Sequence, residues 1–545
     1  AVDKGTPMPP DPGEPERVAR ATKAMGLAYV VVTSVTDDSG IALPFIHKRD
    51  ELLVRLPRPI LKGQEYVVEI KAREDTIMQL TAESYLIYNT YAWFPQYGYN
   101  GGRFAFDFTI EIHRPLQAMG SGRIVKEWEE EPTKMDCIEL RIDDEVQFPS
   151  ILFGRFLREQ GVYSSPVANR DIALSVSAFP TMTTTITDPY ILYLLGRKAP
   201  FTWTLNVPQG KMKGILEETR NIIKFYEGLY GAFPFDELNV AQMAPQLGFG
   251  QAPPGLIQLT GIAFLSQAEV ADWMQEGDLI HGFLSHEIGH QYWGHAVGWA
   301  SNLDAWISES FAEYSAALYV QALQGERRFQ QKMNDWRKDA RQADPVAPVA
   351  MATAISGDNA GKYYTQLVYS KGPLVVHMIR TQIGNDNYVK AMTGLMTKYR
   401  HQNITTEILS KELGLVTGYS WDYFFDQWVR SNSYLCTTIS ARDSRPRGAG
   451  FLSTVTVRRL GTMKMPVPVR AIFEDGSEQT RVTERGLGTD ILTFKSKARL
   501  KAAVLALVLQ ALVRIGRRAL QGPLHVALAI AAFVALEFLG VPFPW

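Results

Sequence analysis

Cysteine is nearly absent from this chain. Its 545 residues include two, Cys137 and Cys436, far apart in sequence. Such a pair supplies neither a disulfide framework nor a cysteine-based metal site, and two unpaired, buried thiols are expected. An excess of either charge is also lacking. Lys and Arg number 56 against 57 Asp and Glu, a formal net charge of −1, which removes the electrostatic case for a nucleic-acid partner. The chain starts at Ala1 with no initiator methionine and no signal-peptide pattern, as a mature form or a fragment would. Long apolar runs are confined to the end. Ala502–Val513 is too short to span a bilayer unaided. Beyond Arg514, Arg517 and Arg518, the stretch 519–545 carries only His525 and Glu537 as ionisable residues, and its length suits a membrane segment.

What is present is a metal-binding pattern. His286-Glu287-Ile288-Gly289-His290 places two histidines four apart, on one face of a helix, where both imidazoles reach a single tetrahedral zinc ion. Glu309 follows in Trp306-Ile307-Ser308-Glu309-Ser310-Phe311-Ala312-Glu313 and can supply a third ligand. Three protein ligands leave one position open, the arrangement of a catalytic site rather than a structural one. Glu287, beside the first ligand, can act as general base toward water. The flanks, Leu279 to Val297, read as a buried helix. Two histidines and a glutamate buried without partners would cost several kcal/mol, a penalty that metal ligation removes.

These residues resemble the gluzincin family of membrane alanyl aminopeptidases, which includes leukotriene hydrolase. His290 and Glu309 have the family's spacing, and Gln291-Tyr292-Trp293-Gly294 and Asp304-Ala305-Trp306 are similar to its HQWFG and DLW elements. Tyr364 through Gly372 resembles the family's Y-x4-YEKG segment, although Ser370 replaces its acidic residue. The resemblance implies that Tyr369 stabilises the transition state. It runs from about Leu52 to Trp428 and is strongest from Phe225, where Phe225-Tyr226-Glu227 and Tyr230 to Phe235 look like the family's helix and turn leading into the active-site strand. Phe424 to Trp428 resembles the end of the family's catalytic domain.

One departure bears on activity. Family aminopeptidases carry Gly-x-Met-Glu-Asn, whose glutamate binds the free amino terminus. Counted back from Gly255, those acidic and amide positions fall on Ala252 and Pro253. Gly250, Gln251 and Ala252 are the expected substrate-binding residues, as a backbone edge that pairs with substrate without an anionic anchor. The family's second anchor lies in an N-terminal element whose equivalent appears here as Trp93 to Asn100, again without a carboxylate.

The expected fold is multidomain α+β. A leader over 1–22 precedes a β-sandwich-like domain at 23–208, where Phe104, Phe106, Phe108, Ile110 and Ile112 alternate with polar or small residues. Similar strands are expected at Leu52–Leu56, Glu65–Lys71, Cys137–Ile142, Ile172–Ala178 and Phe201–Val207. A thermolysin-like zinc domain, largely helical, follows at 209–440. A small β domain at 441–498 has strands at Leu452–Arg458, Val467–Phe473 and Gln479–Thr483 and a turn at Glu474-Asp475-Gly476. A hydrophobic helical tail, 499–545, is a possible membrane attachment.

The resulting expectation is a metallopeptidase using one Zn2+ held by His286, His290 and Glu309, with Glu287 and Tyr369 catalytic, a peptide substrate and weakened anchoring of a free N-terminus. The alternatives are a conventional aminopeptidase whose amine anchor is not identified, and an inactive zinc-stabilised, membrane-associated binding module. Retention of both Glu287 and Tyr369 argues against the second. Around the motif, His281 points to packing, His295 to a cation at the helix end, Glu313 to a supporting carboxylate, Asp304 to a partner for a zinc histidine, and Tyr364 to the core or the pocket.

Overall fold

The computed structural model describes residues 30–505 except 49–50, 75–76, 82–83, 88–92, 97–101, 188–191, 193–194, 196, 208–209, 244–249, 266–277, 435 and 485–487. The leader and the apolar run 519–545 lie outside the described residues. Among those described, no helix is long and apolar enough to cross a membrane. The chain divides into two compact units, residues 1–425 and 426–545.

The first unit opens with antiparallel sheets. Met135–Val146 lies between Phe104–His113 and Arg123–Glu130, and the expected alternation along Phe104–His113 is observed. A second sheet is ordered Ile77–Thr81, Ser84–Ile87, Ile151–Gly154, Gln117–Gly120. Ile110, Ile138 and Leu140 of the first sheet share a core with Ile87, Ala118 and Ile151 of the second, so residues alternating along both sheets are buried together.

A third, four-stranded sheet leads to the site. Leu157–Ser165 pairs antiparallel with Arg170–Ala178, which runs parallel to Glu237–Gln242, itself parallel to Leu256–Leu259. This sheet crosses the expected boundary at residue 208. Parallel neighbours require a crossover, and helix α1 (Lys211–Tyr230) provides it. Its buried Tyr226 donates a hydrogen bond to the carbonyl of Ser285 (2.7 Å), and the Tyr230 hydroxyl meets Ser315 Oγ at 2.6 Å. These bonds attach α1 to α2 (Ser285–Tyr292) and α3 (Trp306–Gln324).

The expected long helix from Leu279 to Val297 is shorter. A π-helical turn over Asp278–Leu284 feeds α2, and the chain then turns at Gly294, with φ 144°, into a strand at Val297–Trp299. The backbone conformation at Gly294 lies in the region L side chains rarely adopt, and it turns the chain away two residues after α2 ends at Tyr292. After α3 come α4 (Glu326–Ala343), α5 (Ala360–Gln366), a π-turn at Leu367–Lys371, and α6 (Gly372–Ile383).

The second unit contains two three-stranded sheets. One is ordered Thr437–Arg447, Gly450–Arg459, Thr489–Ser496, and the other Glu478–Val482, Pro468–Phe473, Leu500–Leu505. Val455, Val457, Val469, Phe473 and Phe494 form its core. The turn at Glu474-Asp475-Gly476 is present, with Gly476 at φ 81°. The tail expected from residue 499, and the apolar run from Ala502, begin instead as a strand. Leu500–Leu505 pairs with Pro468–Phe473, and its Leu500, Ala503 and Leu505 pack on this core. Cys137 is buried and Cys436 half-buried, and both are free.

Candidate metal centre and active site

Helices α2 and α3 pack closely because Gly289 has no side chain. A β-carbon there would lie 3.1 Å from Ala312 Cα. The approach brings Glu309, in the first turn of α3, over the two histidines of α2. His286 Nε2 and His290 Nε2 are 3.1 Å apart, and Glu309 Oε2 lies 3.4 Å from the first and 3.1 Å from the second. Among the described residues this is the one His/Cys/Asp/Glu group arranged to hold a metal ion.

The donors fit zinc. Ligands about 2.0–2.1 Å from a tetrahedral ion lie roughly 3.3 Å from one another, close to the observed triangle. Both outer ring nitrogens already have partners. His286 Nδ1 faces Glu313 Oε2 (3.1 Å), and His290 Nδ1 faces the Trp293 carbonyl and Ser308 Oγ (both 3.1 Å). A carboxylate or carbonyl on Nδ1 fixes the tautomer that leaves Nε2 as the ligand atom. Glu309 Oε2 is buried without a well-aligned hydrogen bond, a group that a cation would satisfy.

The electrostatics agree. Burial alone would lower the pKa of His286, but its close contacts with the carboxylates of Glu309 and Glu313 carry it up to about 10. Burial alone would raise Glu309, but the charges of His290 and His286 hold it below the usual carboxylate range. Both shifts report a pocket that favours a positive charge between these side chains.

The same cavity, about 200 Å³ and open to solvent, is lined by Glu287 and Tyr369 together with Gly250, Gln251 and Ala252. Burial raises the pKa of Glu287, against the lowering effect of His286 and His290. Burial and the charge of Glu309 keep the Tyr369 hydroxyl protonated well above its ordinary range. The Tyr369 ring stacks beside His286, with centroids 5.7 Å apart.

Gly250 to Ala252 form one wall but not a free pairing edge. Pro253 to Leu256 is a β-turn closed by Leu256 N–H donating to the Pro253 carbonyl (3.0 Å), with Pro254 at its second position and Gly255 at its third, φ 66°. The turn folds Gln251 back onto Gln258, and each backbone donates to the other at 3.0 and 2.7 Å. The Ala252 carbonyl accepts from His295 Nε2 and from Gln291 Nε2 (3.3 Å). The expected substrate-pairing edge is therefore already occupied at these groups.

Three neighbours depart from expectation. His295 is not a cation at a helix end. It is fully buried, its pKa is lowered to about 3, and it lines the cavity as a neutral ring. Asp304 does not orient a zinc histidine. It accepts from Thr406 N (2.8 Å), Thr406 Oγ1 (3.0 Å) and Ser301 Oγ (2.7 Å), and Glu313 takes the role expected of it. The described part of the Trp93–Asn100 element, residues 93–96, is not among the residues lining the cavity. Trp93 packs on Phe108 and donates to the Pro149 carbonyl (3.2 Å), while residues 97–100 lie outside the described residues. The N-terminal sheets reach the cavity instead through Phe148, whose ring meets His295 at 5.2 Å. Its position just after the long strand Met135–Val146 was the available signal. His281 stands 3.5 Å from Glu218, away from the metal site, and Tyr364 packs edge-on against Tyr369 without lining the cavity.

Two helices that present two histidines and a glutamate, with a buried glutamate beside the first histidine, define a zinc-hydrolase type of centre. Residues 215–428 match the peptidase family M1 domain, which supports the resemblance of this region to gluzincin M1 aminopeptidases. It is 26% identical over 158 residues to aminopeptidase N of Lactococcus lactis, covering 28% of this chain and 18% of that protein. It is 21% identical over 280 residues to tricorn protease-interacting factor F2 of Thermoplasma acidophilum, covering 50% of this chain and 35% of that protein. The chain thus spans about a third or less of the length of these curated relatives. In fold it is similar to an M1 zinc metallopeptidase of Deinococcus radiodurans, with TM-score 0.55, 15% identity, and coverage of 75% of this chain and 87% of that one. Legionella pneumophila aminopeptidase A matches with TM-score 0.61 and 13% identity over 86% of this chain and 52% of that one.

Proposed function

We propose that this chain is a zinc-dependent metallopeptidase that cleaves peptide bonds without a dedicated carboxylate for the substrate's free amino terminus. The supporting observation is the convergence of His286, His290, Glu309, Glu287 and Tyr369 on one cavity. His286, His290 and Glu309 hold the ion. When bound, zinc supplies Lewis acidity, polarising the scissile carbonyl and acidifying water. Glu287, desolvated and more basic than an exposed glutamate, accepts the proton of the attacking water and hands it to the leaving amine. Tyr369, kept protonated, donates a hydrogen bond to the developing oxyanion. The neighbour crystallised with a Tyr-Ser-Ala substrate supports peptides as the substrate class.

The loss of the amine anchor rests on the composition of the wall. Ala252 and Pro253 are uncharged, and the carboxylates lining the described cavity are Glu287 and Glu309, both assigned to other tasks. A charge-assisted hydrogen bond contributes about 1.5–3 kcal/mol, so its absence removes most discrimination for a free amine.

The test is cleavage of matched peptides with free and acetylated N-termini, with and without chelator. Chelator should abolish both activities, and the two peptides should be cleaved at comparable rates. A preference of about a hundredfold or more for the free amine, roughly 2.7 kcal/mol at the transition state, would mean a conventional aminopeptidase with its anchor outside the cavity lining described.

A further inference from the structure

Tyr369 does not sit on an α-helix. It occupies the middle of the π-turn Leu367–Lys371, between α5 and α6. Such turns are rare and are frequently found at functional sites. The wider turn re-aims a side chain relative to an α-helix, and its backbone needs outside support.

Three side chains supply that support. Ser310, the residue after Glu309, donates from Oγ to the Val368 carbonyl at 2.7 Å. It also lies so close to Gly372 that no β-carbon fits there. Gln366 Nε2 donates to Gln342 Oε1 on α4 at 3.1 Å. Lys371 Nζ meets Asp344 Oδ1 at 2.6 Å, just past the C-terminal end of α4, and the lysine side chain is only 4% exposed.

The third contact is the unexpected one. Burying an ammonium group carries a desolvation penalty, and a packed apolar side chain would often serve stability as well or better. The carboxyl end of α4 and Asp344 both favour the cation, and the contact tethers the lysine by charge, without a well-aligned hydrogen bond. Lys371 is two residues from Tyr369, on the same turn.

We infer that Lys371 is a positioning residue: through its ion pair with Asp344 it holds the π-turn in the register that aims the Tyr369 hydroxyl into the cavity. This rests on the reading of Tyr369 as the oxyanion donor. Glu309 and Tyr369 are thus held from two sides, Ser310 tying the turn to the helix of the metal ligand and Lys371 tying it to α4.

The experiment is a double-mutant cycle on the full chain, with zinc content, KM and kcat measured for Tyr369→Phe, Lys371→Met, both together, and Lys371→Arg. Lys371→Met should retain zinc and KM while kcat falls about tenfold, the scale of a small misplacement of a reacting group. In the Tyr369→Phe background the same change should have an effect within about twofold, because the group it positions is gone. Lys371→Arg, which keeps the charge, should recover most of kcat. If Lys371→Met does not fold, Lys371→Met with Asp344→Leu removes both charges and enters the same cycle. An unchanged kcat in the lysine variant, or an equal loss with and without the Tyr369 hydroxyl, overturns the inference. Failure of the underlying reading is visible separately, as an unchanged kcat in Tyr369→Phe alone.

Discussion

Gly250 lies directly against the carboxylate of Glu287, and a β-carbon at residue 250 would overlap Oε1 and Cδ of that side chain. The obstacle is the far end of a flexible side chain, so the fold can accommodate a methyl group. The chemistry cannot do so as easily, because the carboxylate that accommodates it is the proposed general base. Gly250→Ala should therefore keep near-wild-type stability and zinc content while kcat falls by about 10–10²-fold, part of the 10²–10⁴ typical of general-base catalysis. Kinetics paired with thermal unfolding would decide. A variant that loses stability and retains kcat would show that the contact is packing alone.

The triangle of His286, His290 and Glu309 predicts one zinc per chain and a dependence of stability on it. Ligation selects the folded state and stabilises it by mass action. Chelator treatment should lower the melting temperature, and stoichiometric zinc should restore it. His290→Ala combined with Glu309→Ala should bind no zinc and show no chelator response. Glu313→Gln, which weakens the partner on His286 Nδ1, should bind zinc about 10–100-fold more weakly, as changes to such supporting carboxylates typically do. Zinc content unchanged in the double variant would remove the assignment.

The parts of this site that were legible in the sequence are local or set by short spacing. A four-residue spacing on one helix face gives His286 and His290, and a following helix gives Glu309. Tyr369 came from a motif resemblance, not from periodicity, since a tyrosine in an apolar helical pattern is usually core. What stayed hidden depends on approach between elements. Glu313, four residues after Glu309, was legible as a supporting carboxylate, but spacing cannot tell that it, and not Asp304, is the residue that the close approach of Gly289 and Ala312 brings to His286. The polar flank of His295 reads as a helix-end cation until Ala252 and Phe148 close over it. Phe148 arrives from a sheet whose nearest metal ligand is 138 residues downstream. At the other end, Leu500–Leu505 reads as the start of an apolar tail because a strand with one neighbour and a half-buried face has the same composition.

Glu237 tests the electrostatics of the sheet that carries the wall. Its Oε1 is buried without a hydrogen-bond partner, and its carboxyl is pushed up to about 8 by burial, reinforced by Asp236 and opposed by Arg123. The ordinary glutamate value is about 4.3. Because the folded value is the higher one, the folded chain binds more protons than the unfolded chain between these limits. The contribution of Glu237 is fully present below pH of about 4.3 and is lost as pH rises toward 8. Glu237→Gln keeps the size and removes the titration. It should therefore raise unfolding stability relative to the parent at pH 8.5, by roughly 1–3 kcal/mol after allowing for incomplete burial. The advantage should be smaller at pH 5.5. Comparing variant and parent at each pH cancels terms they share, including zinc. A stability difference that is the same at both pH values would show that Glu237 titrates normally in the folded chain.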